Sequence, residues 1–305
     1  GIPFFVGAWR DKPSICLVHH IHTEQWTQRF SPPMASVGRS LEERLMPRVY
    51  RDRPFIAVSP STGAGLRQLG VAPEQIHLVP NGVDLPERSE AESEEPLFLA
   101  IGRMVSHKRF DRLFDLWPTI HERVGGRLVV AGDGPAFDDL RRRPAPEGLE
   151  LLGRIDDEQK ARLLGQAWAL VHPAAWEGWG IVIMEAAAHH TPAIGFRVPG
   201  VQDAIVDGET GLLADTDEDF VDQWLRLAAD PVRRDMVARL AVADATVNEL
   251  AEPYAMTVQA VSKHVKVLQT AGELAGHARA LHGDDALGGV LAKIADALQL
   301  GGDAD

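Results

Sequence analysis

The run Ala167-Trp168-Ala169-Leu170-Val171-His172, then Trp176-Glu177-Gly178-Trp179-Gly180, then Ile181-Val182-Ile183-Met184-Glu185-Ala186-Ala187-Ala188 decides the reading of this chain. The first part predicts a buried strand, the last an apolar helix, and the two glycines between them a strand-to-helix turn. Such a turn gathers free backbone N–H groups and the positive end of the helix dipole. Gly178 and Gly180 have no Cβ to hold an anion away from it. Two carboxylates bracket the turn: Glu177 lies in the loop and Glu185, eight positions later, on the early helix. Both can accept hydroxyls from a ligand lying across the turn. A ligand with phosphates in its middle and polyhydroxylated rings on either side, a nucleotide-diphosphate sugar, matches that pattern.

Outward from this stretch, strands and helices alternate. Strands are expected at Leu97 to Ile101, Arg127 to Ala131, Leu149 to Leu152, Ala167 to His172 and Ala193 to Phe196. Helices are expected near Phe110 to Val124, Phe137 to Arg143, Asp157 to Gln166 and Ile181 to His189. The alternation implies right-handed crossovers and a parallel, doubly wound α/β sheet, which binds ligands at the carboxyl ends of its strands. The loops at those ends are Gly102-Arg103, Gly132-Asp133-Gly134-Pro135, Gly153-Arg154 and the Glu177 turn, and they are expected to face one crevice. Arg103 and Lys108 present two cations from one loop. With the helix end at Gly180 they can neutralise a departing diphosphate by fixed electrostatics, without a divalent metal. Asp133 is read either as a turn former or as a ligand contact, and Trp176 and Trp179 as loop-shaping residues.

Before this unit, short strands are expected at Ser14 to Val18, Phe55 to Val58 and Ile76 to Val79, with a helix near Ser36 to Tyr50. Ser59 and Pro60 read as the N-cap and first position of the next helix. Asp84 to Pro96 is rich in Glu and Ser without apolar period, a solvated linker or domain boundary. His19, His20 and His22 alternate sides of an extended segment, which does not build a metal site. The pair His189-His190 at a helix carboxyl end is read as favourable to the dipole.

With 305 residues and 45% hydrophobic content, the chain has enough material for two cores. A formal net charge of -13 disfavours nonspecific binding to nucleic acid or anionic membranes. The single cysteine, Cys16, excludes an internal disulfide. No apolar run approaches the roughly 20 residues of a spanning helix, and no leader pattern is visible, so a cytoplasmic protein is expected. Gly1 stands where a starting Met would, which suggests a partial chain.

Ile101-Gly102-Arg103-Met104 with Lys108-Arg109-Phe110, Val130 through Pro135, Leu152-Gly153-Arg154-Ile155, Glu177 through Glu185, and Gly208-Glu209-Thr210-Gly211-Leu212-Leu213 closely resemble the nucleotide-binding half of glycosyltransferase family 4. The resemblance implies the GT-B fold, with two Rossmann-like domains, and transfer of a sugar from a nucleotide-diphosphate-sugar donor to an acceptor hydroxyl with retention of configuration. It implies that Arg103 and Lys108 hold the diphosphate, Glu177 binds hydroxyls of the transferred sugar and Glu185 the ribose. Backbone groups from Gly178, Trp179, Gly180 and Ile181 meet phosphate and sugar, Arg154 and Ile155 flank the base, and Gly132 and Asp133 line the site. His20 is the acceptor-side candidate. No resident cofactor and no metal are implied; the partners are the donor and a carbohydrate, lipid or small-molecule acceptor. Residues 1–85 read as a partial acceptor-side domain, 86–96 as the linker and 97–244 as the donor domain.

Beyond these, Thr246-Val247-Asn248-Glu249 is a capping box, and the run to Gly272 resembles the helix-turn-helix of ArsR-type winged-helix repressors. That resemblance nominates Gln259, Ser262, Lys263, His264 and Lys266 for DNA contact, within 245–275, ahead of a helical tail at 276–305. Two lysines face two glutamates in Thr246 to Gly272, so no basic footprint is present. Three readings stay open: a glycosyltransferase, a DNA-binding regulator with a sugar-nucleotide-sensing domain, and a folded, catalytically inactive fragment.

Overall fold

The computed structural model describes residues 14–22, 26, 30–86, 90–207 and 210–229. The residues nominated for DNA contact lie outside them. The described residues form two compact units. One takes those up to Asn81 together with Glu177–Trp179; the other takes those of Gly82–Trp176 and from Gly180 onward.

In the first unit, β1 (Cys16–Val18), β2 (Phe55–Ala57) and β3 (Ile76–Leu78) pair in parallel, in that order. The expected helix near Ser36 to Tyr50 is instead three pieces: α1 (Pro32–Ser40), a π-helical turn (Leu41–Leu45) and α2 (Met46–Val49). Pro47 explains the break, because it has no N–H to donate one turn back and its ring crowds the carbonyl there, so the turn before it widens. Helix α3 (Pro60–Gln68) starts where the sequence places it, and the Ser59 hydroxyl accepts from the Thr62 N–H at 3.1 Å. Phe55, Met46, Leu66, Cys16 and Val18 pack as the core. Burial pushes the Cys16 thiol up to about 12 against a weak opposing effect of Arg53, leaving it an inert thiol.

In the second unit, six parallel strands are β4 (Leu97–Ile101), β5 (Arg127–Ala131), β6 (Leu149–Leu152), β7 (Ala169–His172), β8 (Ala193–Phe196) and β9 (Gly211–Ala214). Their spatial order is β6-β5-β4-β7-β8-β9, so the winding reverses between β4 and β7. A crevice opens outside the carboxyl ends of strands at such a reversal. The helices are α4 (Phe110–Val124), α5 (Phe137–Arg142), α6 (Asp157–Gln166), α7 (Ile181–Ala188), α8 (Val201–Ala204) and α9 (Asp217–Ala228).

Helix α4 buries Phe110, Leu113, Phe114, Trp117 and Ile120, and α9 buries Phe220, Trp224 and Leu227. These stripes repeat at helical spacing and meet over β4, where Phe98 lies 5.9 Å from the Trp117 ring and 5.2 Å from that of Trp224. Asp156 and Thr216 cap α6 and α9 by accepting from the N–H groups of Gln159 and Asp219. The segment expected to be a solvated linker is tied down at Ser93, which donates its N–H to Gln166 and accepts from the Trp168 indole, at 3.0 and 2.8 Å, and at Pro96, whose carbonyl accepts from the Arg127 N–H at 2.8 Å. The indole explains this correction, since a partly buried Trp N–H takes a partner wherever one is in reach.

Candidate functional site

Two loops leave the sheet at the reversal point. The one after β4 runs Gly102-Arg103-Met104 into a 3-10 turn, Ser106–Lys108, and then α4. The one after β7 runs from Pro173 to the start of α7. They are joined: the His107 and Trp176 rings stack at 3.7 Å with planes 12° apart, and the Ala175 N–H donates to the His107 carbonyl at 2.8 Å. Trp176 is therefore a loop-shaping residue, as its sequence reading has it.

Arg109 holds the junction between the 3-10 turn and α4. Its backbone is left-handed, φ 50° and ψ 37°, a region that costs a side chain bearing a Cβ. The side chain offsets this cost. Nε donates to the Pro173 carbonyl at 2.8 Å, and the guanidinium lies 4.4 Å over the Phe196 ring. The direction of the preceding residue, Lys108, is thereby fixed.

Lys108 is half-buried, and its partial burial brings its pKa down from the ordinary lysine value to about 8. Its neighbour His172, at the end of β7, is fully buried. Burial, with the nearby charges of Lys108 and His107, keeps that imidazole neutral, well below the usual histidine range. A cation partly stripped of water at a strand end gains from any anion placed beside it. Arg103, on the same loop, is exposed and pairs with no carboxylate among the described residues.

The glycine loops pack backbone on backbone. The Gly102 N–H donates to Ala131, Gly132 N–H to Gly153, and Met104 N–H to Asp133. A Cβ on Gly132, at φ 139°, would stand 2.0 Å from the Gly102 carbonyl oxygen, so only glycine lets these loops meet. The Asp133 carboxylate accepts from the Gly134 N–H at 2.7 Å, which places it as a turn former. Arg154 is exposed and Ile155 half-buried on the loop after β6.

At the other loop, Gly180 takes φ 77° and ψ 51° immediately before Ile181, and Ile181 is 46% exposed at the helix start. Glu177 accepts from the Gly178 N–H at 3.2 Å, and Trp179 is buried. Glu185 lies in the second turn of α7, beyond capping reach, and Lys160 of α6 holds it: Nζ donates to Oε1 at 3.0 Å and reaches Asp157 at 3.2 Å. Burial works against the Lys160 ammonium, but the hydrogen bond and charge of Glu185, joined by Asp157, outweigh it and raise its pKa. The sequence reading missed Lys160, because nothing local links it to a residue 25 positions on.

Burial lowers the pKa of His189, with the nearby charges of His190 and Lys160 adding to the effect, and partial burial lowers that of His190. In the first unit, the ring of the acceptor-side candidate His20 lies against that of His22, centroids 4.2 Å apart and planes tilted by 44°. A further missed residue, the buried Glu42 of the π turn, accepts from the His22 N–H at 2.7 Å and the Trp26 indole at 3.0 Å. No group of three His, Cys, Asp or Glu among the described residues is placed to hold a metal ion. None of their helices is long and apolar enough to cross a membrane.

A cavity of about 410 Å³ lies beyond the ends of β8 and β9, lined by Arg109, Arg112, Arg197 and the start of α9. Two of its arginines are already paired with carboxylates: Arg112 with Asp217, and Arg197 with Asp207 at 2.6 Å and Asp215 at 3.4 Å.

Comparison with known proteins bears on the family and the fold. The chain is 27% identical over 169 residues to the phosphatidylinositol N-acetylglucosaminyltransferase gpi3 subunit of Schizosaccharomyces pombe, covering 52% of this chain and 37% of that protein. It is 27% identical over 268 residues to D-inositol 3-phosphate glycosyltransferase of Kribbella flavida, covering 76% of this chain and 62% of the relative. The chain thus spans less than two thirds of the length of either. Among solved structures, Anabaena HepE in complex with UDP-glucose superposes with a TM-score of 0.58 at 17% identity, over 86% of this chain and 71% of the other, a likeness of the GT-B fold. Residues 2–87 match Glycosyltransferase Family 4. Residues 84–241, just over half of the chain, match Glycosyl transferases group 1, and the chain belongs to that family of sugar-transferring proteins.

Proposed function

We propose that this chain binds a nucleotide-diphosphate sugar at the reversal point of its six-stranded sheet and passes the sugar to an acceptor hydroxyl with retention of configuration. One observation supports this best: the lysine-bearing turn after β4 is locked to the loop after β7 by the His107–Trp176 stack, beside the glycine start of α7. An anion entering there meets Lys108, Arg103 and free helix N–H groups together.

In this reading Arg103 and Lys108 take the diphosphate and neutralise the charge that develops as the bond to the sugar breaks. Lys108 is suited to it, since a half-buried ammonium with a pKa near 8 regains full protonation when a diphosphate lies beside it. Fixed cations and a helix end replace a divalent metal in this role. By its place in the motif, Glu177 accepts hydroxyls of the transferred sugar, and Glu185 accepts the ribose diol. Arg154 and Ile155 flank the base, Gly132 keeps the floor of the loops open, and His20 serves the acceptor side. The acceptor hydroxyl attacks on the face that the diphosphate leaves, and positioning and charge stabilisation supply the acceleration.

The test is a thermal-shift panel of UDP-, GDP- and ADP-glucose, followed by measurement of transfer and donor hydrolysis with the ligand that binds. A ligand that binds only the native state raises Tm in proportion to its occupancy. Stabilisation by one donor, lost in Glu185→Ala, supports the reading. No stabilisation by any of the three at millimolar concentration refutes it.

A further inference from the structure

We infer that Lys160 and Glu185 form a two-residue reader of a vicinal diol, with Lys160 the residue that makes the site select ribose over 2′-deoxyribose. The inference rests on the donor-site reading above and adds to it a residue outside the motif.

The geometry supplies complementary hydrogen-bonding groups. Lys160 Nζ donates one hydrogen to Glu185 Oε1 at 3.0 Å and a second to Asp157 Oδ1 at 3.2 Å, and an ammonium has three. The third is left for a ligand. Glu185 has Oε1 occupied, and among the described residues Oε2 is left as an acceptor. The pair therefore presents one donor and one acceptor side by side, which matches two adjacent hydroxyls: one donates to Oε2 and the other accepts from Nζ. Neither group is sealed off, since the side chains are 28% and 25% exposed. Asp157 is fully exposed and pulls weakly in water, so it steadies the ammonium without competing strongly for it.

Lys160 also acts on Glu185 itself. A lone carboxylate on the second turn of α7 can rotate to bind a ligand through either oxygen. With Oε1 pinned from α6, one orientation is fixed before the ligand arrives, which lowers the ordering cost of binding. A charge-assisted hydrogen bond of this kind changes affinity by roughly tenfold or more.

The experiment is calorimetric titration of UDP, GDP and ADP, and of the 2′-deoxy counterpart of whichever binds most tightly, into the wild-type chain and the Lys160→Met, Lys160→Arg and Arg103→Ala variants. The wild type is expected to prefer the ribonucleotide by about tenfold or more. Lys160→Met keeps the aliphatic stem, so Tm should hold while ribonucleotide affinity falls about tenfold or more and deoxynucleotide affinity, which loses only the fixed orientation of Glu185, falls clearly less, narrowing the discrimination. Lys160→Arg should restore most of it. Equal weakening of both nucleotides by Lys160→Met, or no change in either, overturns the role given to Lys160. If at the same time Arg103→Ala weakens binding, the donor reading survives that failure. No binding of any nucleotide to the wild type overturns both.

Discussion

His107 and Trp176 stack face to face, 3.7 Å apart, and this contact joins the loop after β4 to the loop after β7. Their strands are neighbours, but the residues themselves lie outside the sheet, so the stack and the Ala175 to His107 hydrogen bond set how the two loops meet. Replacing His107 with Ala should cost about 1 kcal/mol of stability, the scale of an aromatic pair. It should weaken nucleotide-diphosphate binding by more than that stability loss suggests, because the Lys108 turn is released. Urea unfolding and calorimetry on one sample check both; unchanged affinity would mean the stack is packing alone.

The partial burial of Lys108 fixes the sign of two pH effects. Its folded pKa, about 8, lies below the ordinary lysine value near 10.4, so between these the unfolded chain binds more protons and stability rises with pH through that window. Lys108→Met should remove this rise and be more stable at pH 7 by on the order of 1–3 kcal/mol. Ligand binding runs the other way: above pH 8 the ammonium must be regained when the diphosphate enters, so affinity should fall as pH rises. Titrations from pH 7 to 9.5 in two buffers of different ionisation enthalpy report the proton taken up, and a flat profile rules the assignment out.

Arg109 separates strain from contact. Its left-handed backbone favours Gly over Ala by about 1 kcal/mol, while both replacements lose the Pro173 hydrogen bond and the contact with Phe196. Both variants should be destabilised, with Arg109→Gly the milder. If Arg109→Ala unfolds at the higher urea concentration, the left-handed junction is not the native one.

Gly132→Ala should be among the most damaging single-methyl changes in the second unit. The added carbon would meet the Gly102 oxygen at 2.0 Å, where neither neighbour is a flexible side-chain end. A loss of about 3 kcal/mol is expected, with binding lost alongside, because the loop that moves carries Arg103. Wild-type stability in this variant would show that the loops do not pack as described.

Much of the second unit was legible because its signals are local. Leu97 to Ile101 is a short apolar run between Pro96 and Gly102, Arg127 to Ala131 one between Gly126 and Gly132, and the Phe110 to Val124 helix has a clean apolar stripe, so their bounds are those observed. Ser59 capping and the strand-to-helix turn at Gly180 were readable for the same reason. What was hidden depends on contacts distant in sequence. Lys160 meets Glu185 only once α6 and α7 lie side by side, and Glu42 meets His22 and Trp26 through a π turn that Pro47 makes but whose partners it does not name. The charge states of Lys108, His172 and His189 follow from burial, which a linear pattern of histidines and lysines does not display.

The central claim is that a diphosphate sits between the loop after β4 and the glycine start of α7. Its most direct test is titration of UDP-, GDP- and ADP-glucose into the wild type and into Arg103→Ala and Lys108→Ala. Saturable one-to-one binding of at least one donor, weakened about tenfold or more in each variant, is the expected result. Binding that both variants leave intact would place the phosphates elsewhere and contradict the account.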